Sequence, residues 1–499
     1  MNLGIGTWPQ RRAKVRPHDV AVEFEGVEHT YAEFSERVTR LANAFAAAGV
    51  ERGDRVIHLG FNHPAALEVF FAAGLMGATS VLLNPRLKLA ELQYIVHDSA
   101  PKVLAFGAEQ ADNCVDLAAE LPDVTFLSID GPGPGGAYEE FLRAGSTDPV
   151  VIDLDLEETC MIMYTSGTTG RPKGAMLSHR ALFYQYVNAI IGQDLRQDEV
   201  HLAAAPLFHI AGLNMMTLPT FTLGGRIIIH RGFKADAVLD AIEDSRVTSA
   251  FFVPAMLDLL SHHERFADAD LSSFRAVMVG GSPLLEPTIK TWQARDVAIM
   301  QGFGMTETSP GVTMLEPRDG LTKAGSAGRL HFFSEHRIVD VVGNDVAPGE
   351  AGEVVITGPN LMSGYWNKPE ETARAVEDGW YHSGDIAVLD EDGYLWIKDR
   401  IKDMYISGGE NVYPAEVENA LVSLPGIRDA AVIGVPDERW GETGKAFVVA
   451  SDPAVTPDAV AEALKPLLAN YKLPRHIELI DELPRTSTGK IQKQALRER

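Results

Sequence analysis

Cysteine is scarce: Cys114 and Cys160 are the only two in 499 residues. They show no metal-ligand spacing and no disulfide framework, which excludes a thiolate metal centre and fits a reducing compartment. Basic residues are also in deficit. Lys and Arg number 44 against 69 Asp and Glu, a formal net charge of −25. That balance argues against non-specific binding to nucleic acid or to anionic membrane surfaces. It leaves room for a polyanionic ligand, because a local ring of cations and backbone N–H groups can hold one inside an acidic protein. A long apolar run is missing too. The most apolar stretch, 64–83, carries Glu68 and two glycines, so it reads as helix, turn and strand and not as a membrane span. Residues 1–12 have no apolar core of signal-peptide type. These absences predict a cytoplasmic protein with no transmembrane segment.

Hydrophobic residues make up 45% and charged residues 23%, close to the soluble globular average. The length predicts two or more domains. Strands are expected at 55–60, 80–83 and 102–106, with helices at 65–75 and 89–98. Further strands follow at 199–205, 226–229, 250–253 and 276–279. Such alternation implies crossover connections and parallel sheet. From 325 to 397 the texture changes to short strands and close turns, as at 353–357 and 389–393. After 399–402 a fresh pattern begins, with helices at 415–424 and 457–468 and strands at 430–434, 445–449 and 476–480. The expected fold is α/β: a large N-terminal domain of two α/β sheets plus a β-rich subdomain, over 1–400, and a small α+β C-terminal domain over 401–499.

The most informative stretch is 164–179, YTSGTTGRPKGAMLSH. Three glycines, one Ser, three threonines and one Lys fall within ten residues after an apolar strand-like run at 161–164. Such a loop offers backbone N–H and hydroxyl donors free of bulky side chains, with Lys173 to neutralise charge, as a polyphosphate requires. It is not a Walker A loop, because Pro172 precedes Lys173 and the spacing fails. The plain alternative is a polar surface loop between a strand and a helix.

The run 165–174 resembles the signature of the adenylate-forming superfamily, which contains acyl-CoA synthetases, aryl-CoA ligases, peptide-synthetase adenylation domains and beetle luciferases. Four more segments resemble its motifs in the family order: QGFGMTET at 301–308, YHSGD at 381–385, DRIKDMYISGGENVYP at 399–414 and PRTSTGK at 484–490. The resemblance implies an ATP-dependent, AMP-forming acyl-CoA synthetase acting through an acyl-adenylate, with ATP, Mg2+ and coenzyme A.

By that resemblance Thr165, Ser166, Gly167, Thr168, Thr169, Gly170 and Lys173 wrap the β- and γ-phosphates. Phe303 stacks on adenine, where the family more often has Tyr, and Thr306 meets the α-phosphate. Gly302, Gly304 and Met305 complete the nucleotide segment, and Gly280, Gly281 and Ser282 pass close to adenine and the acyl chain. Glu307 holds magnesium, with Thr165 as a second metal residue. Asp385 accepts from both ribose hydroxyls, as an acceptor-only carboxylate can, and Arg400 adds a donor. Lys490 reaches the carboxylate and α-phosphate during adenylation. Lys402 matches the hinge about which the C-terminal domain rotates to present Ser407, Gly408 and Gly409 to pantetheine.

The segment PLFHIAG at 206–212 matches the family stretch whose His, here His209, closes the acyl site. Ala211, Met215, Phe251, Gly280 and Gly302 are the expected neighbours of the acid. None is Arg or Asp, so a largely apolar acid is expected. Ala211 stands where plant hydroxycinnamate ligases tend to carry a larger aromatic residue, which suggests a roomier channel. ISGGENVYPAEVE and VPDERWGE are similar to bacterial fatty-acyl-CoA synthetases, while GIGTWPQRRA and PLFHIAGLNM resemble bacterial feruloyl-CoA synthetases. A medium- or long-chain fatty acid is the first expectation and a hydroxycinnamate the alternative. An adenylating enzyme that loads a separate carrier protein comes third. The expected partners are a small carboxylic acid, ATP and CoA, with no nucleic acid; a homodimer is left open.

Overall fold

A computed structural model describes residues 2–165, 171–282, 284, 286–407, 410–437, 439–485 and 491–499. They fall into two compact units. The first takes in Met1–Glu335 and Thr357–Tyr381, the second His336–Ile356 and His382–Arg499.

Two sheets organise the first unit, as the alternating pattern predicts. One runs in the order Gly364–Tyr365, Lys173–Ser178, Thr159–Thr165, Thr79–Leu83, Arg55–Leu59, Val103–Phe106, Thr125–Ser128, Gly136–Ala137. It is parallel from Thr159–Thr165 onwards and antiparallel at the other edge. The other runs Arg329–Leu330, Gly311–Leu315, Ala298–Gly304, Ala276–Val279, Ser249–Phe252, Val200–Ala203, Arg226–Ile229, Val20–Phe24, Val27–Thr30, with a parallel centre. Buried strands of parallel sheet read as continuous apolar runs, and RIII at 226–229 and AVMV at 276–279 do.

Helix Pro64–Leu75 is buried at every residue, which its apolar circumference allows. Glu68 in its middle is fully buried and tied down by Arg37 Nε at 2.5 Å and by the Tyr138 hydroxyl at 2.7 Å. Removing one partner of such a pair costs about 3–5 kcal/mol. Helix Tyr31–Ala47, which carries Arg37, starts on a capping box: Thr30 Oγ1 accepts from the Glu33 N–H and the Glu33 carboxylate accepts from the Thr30 N–H.

In the second unit, strands Glu335–Val339, Ala351–Thr357, Trp380–Leu389 and Leu395–Arg400 make a small sheet, with 390–393 as the hairpin turn. A second sheet is ordered Glu410–Val412, Tyr405–Ser407, Gly441–Ala450, Ile427–Asp437, with His476–Leu479 added parallel to Gly441–Ala450. Helices Pro414–Val422 and Pro457–Leu464 accompany it. This is the expected α+β layout, but packing does not divide the chain at residue 400. Residues 336–356 and 382–400 pack with 401–499. Asp399 shows why. Its Oδ1 accepts from the Arg400 N–H and its Oδ2 from the Ala415 N–H, both at 2.7 Å. Strand Leu395–Arg400 is thereby pinned to the first turn of helix Pro414–Val422.

No helix among the described residues is long and apolar enough to cross a membrane.

Candidate active site

Strands Thr159–Thr165 and Lys173–Ser178 pair antiparallel, with Thr165 opposite Lys173. The Gly/Thr loop therefore joins two strands, not the strand and helix of the plain alternative. Ser166, Gly167, Thr168, Thr169 and Gly170 lie outside the described residues, so the site is built from the two ends of the loop. Thr165 Oγ1 donates to the Lys173 carbonyl at 3.5 Å. Lys173 Nζ stands 3.0 Å from a Glu371 oxygen and 4.5 Å from the centroid of the Tyr365 ring. The Tyr365 hydroxyl in turn donates to Glu307 Oε1 at 2.8 Å, and the Met362 N–H donates to the Glu307 carbonyl at 2.8 Å. Burial, and then the Glu307 carboxylate beside it, push the Tyr365 phenol far above its ordinary pKa, so it stays a donor.

Glu307 is 8% exposed, a buried carboxylate with one oxygen held by Tyr365. Among the described residues no three His, Cys, Asp or Glu side chains cluster to cage a metal. A single fixed carboxylate suits Mg2+, which keeps water and substrate phosphate oxygens as its other ligands. Glu307 would hold the ion, and a bound Mg2+ would neutralise phosphate charge.

The segment QGFGMTET continues strand Ala298–Gly304 into a 3-10 turn at Thr306–Thr308. A Cβ on Gly304 would fall 1.5 Å from the Pro310 carbonyl oxygen, so only glycine fits. Thr308 Oγ1 accepts from the Met305 N–H at 3.0 Å, which closes the turn that presents Thr306. Phe303 and Thr306 are half-buried. Gly280 and Gly281 follow strand Ala276–Val279; a Cβ on Gly280 would meet the Phe251 ring at 3.4 Å, and Gly281 has φ of +94°. Ser282 is exposed.

The five expected acyl neighbours do converge. Met215 and Phe251 belong to one buried cluster with Met278, Met300 and Met314, and Ala211 packs on it. Gly280 abuts Phe251, and a Cβ on Gly302 would press on Met278 Cε at 2.4 Å. His209, half-buried, precedes a fully buried π-helical turn at Gly212–Thr217 and accepts the Leu213 N–H on its carbonyl at 3.1 Å. A Cβ on Gly212 would lie 2.3 Å from the Pro206 carbonyl oxygen, so PLFHIAG can turn this tightly only with glycine there.

In the second unit, Asp385 and Arg400 are paired across neighbouring strands, and Arg400 Nε lies 2.5 Å from Asp385 Oδ1. Asp385 is buried, and its N–H donates to Ser383 Oγ at 3.0 Å. Burial raises the Asp399 pKa, against the pull of Lys493. Lys402 is exposed, and its carbonyl accepts from Arg497 at 3.4 Å. Ser407 is buried. Gly408, Gly409 and Lys490 lie outside the described residues.

Residues 9–366 match the model of the AMP-binding enzyme family, and residues 416–490 that of the AMP-binding enzyme C-terminal domain. The chain belongs to the AMP-binding enzyme family. This AMP-binding enzyme is 48% identical to a feruloyl-CoA synthase from Amycolatopsis sp, over 100% of its own chain and 99% of the relative. It is 38% identical to a long-chain-fatty-acid–CoA ligase from Mycobacterium tuberculosis, over 99% and 98%. The solved O-succinylbenzoate coenzyme A synthetase from Bacillus subtilis, in complex with ATP and magnesium ion, superposes with a TM-score of 0.88 at 30% identity, covering 98% of this chain and 99% of that one. The enzyme is an AMP-forming acyl-CoA synthetase that uses ATP, Mg2+ and CoA.

Two readings change. The identities reverse the expected order of acids, since the relative named for ferulate is nearer than the one named for long-chain fatty acids. Tyr365 was not among the expected site residues of this AMP-binding enzyme, although it links Lys173 to Glu307. Its signal, an aromatic pair after glycine in SGYWN at 363–367, is too short to point to Glu307, 58 positions away.

Proposed function

We propose that this enzyme is a hydroxycinnamate–CoA ligase. The observation that carries the reading is the 48% identity to a feruloyl-CoA synthase along the whole chain. The methionine-rich cluster around Phe251 and Met215 supports it, because such side chains adapt to a flat aromatic ring.

In the first step a carboxylate oxygen attacks the α-phosphorus of ATP and pyrophosphate leaves; in the second the CoA thiolate attacks the acyl carbonyl and AMP leaves. Carboxylate and triphosphate are both anionic, so the protein's main service is positive charge held in place before reaction. On this reading Lys173 and the 166–170 loop hold the β- and γ-phosphates, Thr306 the α-phosphate, and Glu307 the magnesium. Phe303 stacks on adenine beside the Gly280–Ser282 backbone, while Asp385 and Arg400 take the ribose. His209 closes the acyl site. Lys490 offsets charge in the adenylation transition state, and Lys402 serves as hinge for 401–499, with Ser407–Gly409 facing pantetheine. Cys114 and Cys160 are both free and buried, which fits a cytoplasmic enzyme.

The test runs pyrophosphate release and CoA consumption in parallel, with acids from acetate through palmitate to ferulate, using wild type and Lys490→Ala. Ferulate is expected to give the highest kcat/KM in both assays. Lys490→Ala is expected to lose adenylation yet still convert preformed feruloyl-adenylate. A higher kcat/KM on palmitate would return the enzyme to the fatty-acid ligases. Pyrophosphate release without CoA consumption would move the acceptor to a carrier protein.

A further inference from the structure

Two polar side chains sit in the methionine-rich wall of the acyl cluster with bonding capacity that no described residue uses. His331 is 4% exposed, and its Nε2 has no hydrogen-bond partner among the described residues. Burial holds the imidazole neutral, with its pKa lowered to about 4. A neutral imidazole has one acceptor nitrogen, and Nε2 in that role can take a donated O–H. Gln185 is fully buried; its Oε1 accepts from the Gly311 N–H at 3.2 Å, and among the described residues its Nε2 finds only the Met215 sulfur at 3.5 Å. A thioether is a weak acceptor, so this amide keeps an N–H to give.

The two groups converge. A Cβ on Gly311 would lie 2.9 Å from Gln185 Nε2 and 3.0 Å from His331 Nε2. Both nitrogens therefore pack beside the Gly311 α-carbon, where only a glycine leaves them room. Gly192 lets the ring approach from the other side: a Cβ there would stand 3.1 Å from His331 Nδ1 and 3.2 Å from Met314 Cε. Met314 and Met215 belong to the cluster that also holds Phe251 and Met278, against which Gly280 and Gly302 are set. An orphaned acceptor beside a spare donor in an apolar wall is unfavourable unless a ligand satisfies both. A phenol offers the complement, one O–H and one oxygen lone pair.

We infer that His331 and Gln185 recognise the phenolic hydroxyl of the acid, His331 Nε2 accepting its O–H and Gln185 Nε2 donating to its oxygen. The inference rests on the hydroxycinnamate reading above and names the two side chains that read the ring hydroxyl.

The test measures kcat/KM of the full chain for 4-coumarate, ferulate, cinnamate, 4-methoxycinnamate and palmitate. Wild type is expected to prefer 4-coumarate over cinnamate by about a hundredfold or more, since a site built to bond a hydroxyl rejects the analogue that lacks it. 4-Methoxycinnamate, with an acceptor oxygen but no O–H, is expected to fall with cinnamate. In His331→Leu and Gln185→Leu the ratio is expected to collapse towards one, and His331→Gln, which restores an acceptor, to recover part of it. The ratio compares two acids on one preparation, so partial misfolding does not alter it. Should a leucine variant fail to fold, the wild-type comparison of the hydroxyl and methoxy acids decides alone. Equal turnover of 4-coumarate, 4-methoxycinnamate and cinnamate, or a ratio that His331→Leu leaves intact, would overturn the phenol contact and leave the hydroxycinnamate reading standing. Turnover of palmitate with none of the cinnamates would overturn both.

Discussion

The Tyr365 hydroxyl donates to Glu307 Oε1 at 2.8 Å while Lys173 Nζ lies over the same ring, 4.5 Å from its centroid. One side chain thus sets both the carboxylate proposed for magnesium and the lysine proposed for phosphate. Tyr365→Phe separates the two services, because it keeps the ring under Lys173 and deletes the donor to Glu307. The variant is expected to need several-fold more Mg2+ for half-maximal pyrophosphate release, with KM for the acid unchanged. Its stability should fall by about 1–3 kcal/mol, the range for deleting a hydrogen bond to a buried charged group. A magnesium titration at saturating ATP, with a denaturation curve alongside, checks both.

Acid should loosen the N-terminus. His179 Nδ1 accepts from the Ile5 N–H at 3.1 Å, and burial lowers the imidazole pKa from 6.5 to about 4. With the folded pKa below the unfolded one, the unfolded chain takes up its proton first as pH falls. The stability from the neutral ring is therefore whole above about pH 6.5 and is lost progressively towards about pH 4. The upper limit of that loss is about 1.4 kcal/mol per pH unit for one group. His179→Gln offers an acceptor that does not titrate. Urea midpoints between pH 7.5 and 5 are expected to fall less steeply for the variant than for wild type; equal slopes would remove His179 from the account.

Much of this architecture was legible because its chemistry sits in contiguous runs. The strands at 226–229 and 276–279 are where the apolar runs place them, since a buried parallel strand needs only short unbroken apolar sequence. Gly280, just past strand Ala276–Val279, and Gly302 and Gly304, at the end of strand Ala298–Gly304, sit in motif runs that were legible for the same reason. Strand Lys173–Ser178 was not, because KGAMLS has weak strand propensity and is held by its neighbours on both sides, Thr159–Thr165 and Gly364–Tyr365. Helix Pro457–Leu464 ends before the expected residue 468, although the apolar spacing continues through Leu467 and Leu468. The supporting residues stayed hidden. Gln185 and Gly311 are 126 positions apart, and no local pattern encodes that meeting. The contact of Asp399 with Ala415 is hidden likewise, because no periodicity reveals a side chain that ties a strand to a helix 16 positions on.

The two glycines of QGFG should respond in opposite ways to the same methyl group. At Gly304 the added Cβ would fall 1.5 Å from the Pro310 carbonyl oxygen, and a backbone atom cannot retreat without moving its strand. Gly304→Ala is therefore expected to abolish adenylation with every acid and to lower the melting temperature. At Gly302 the nearest atom is Met278 Cε at 2.4 Å, the end of a flexible side chain. Met278 can swing aside, but only within the cluster of Phe251, Met215 and Met300, so the proposed acyl site loses about the volume of a methyl group. Gly302→Ala should stay folded, lose kcat/KM for ferulate by about tenfold and lose much less for acetate, since one methylene in an apolar pocket is worth about 1–3 kcal/mol. Pyrophosphate release with the two acids, read beside thermal melts of both variants, separates a lost fold from a narrowed site.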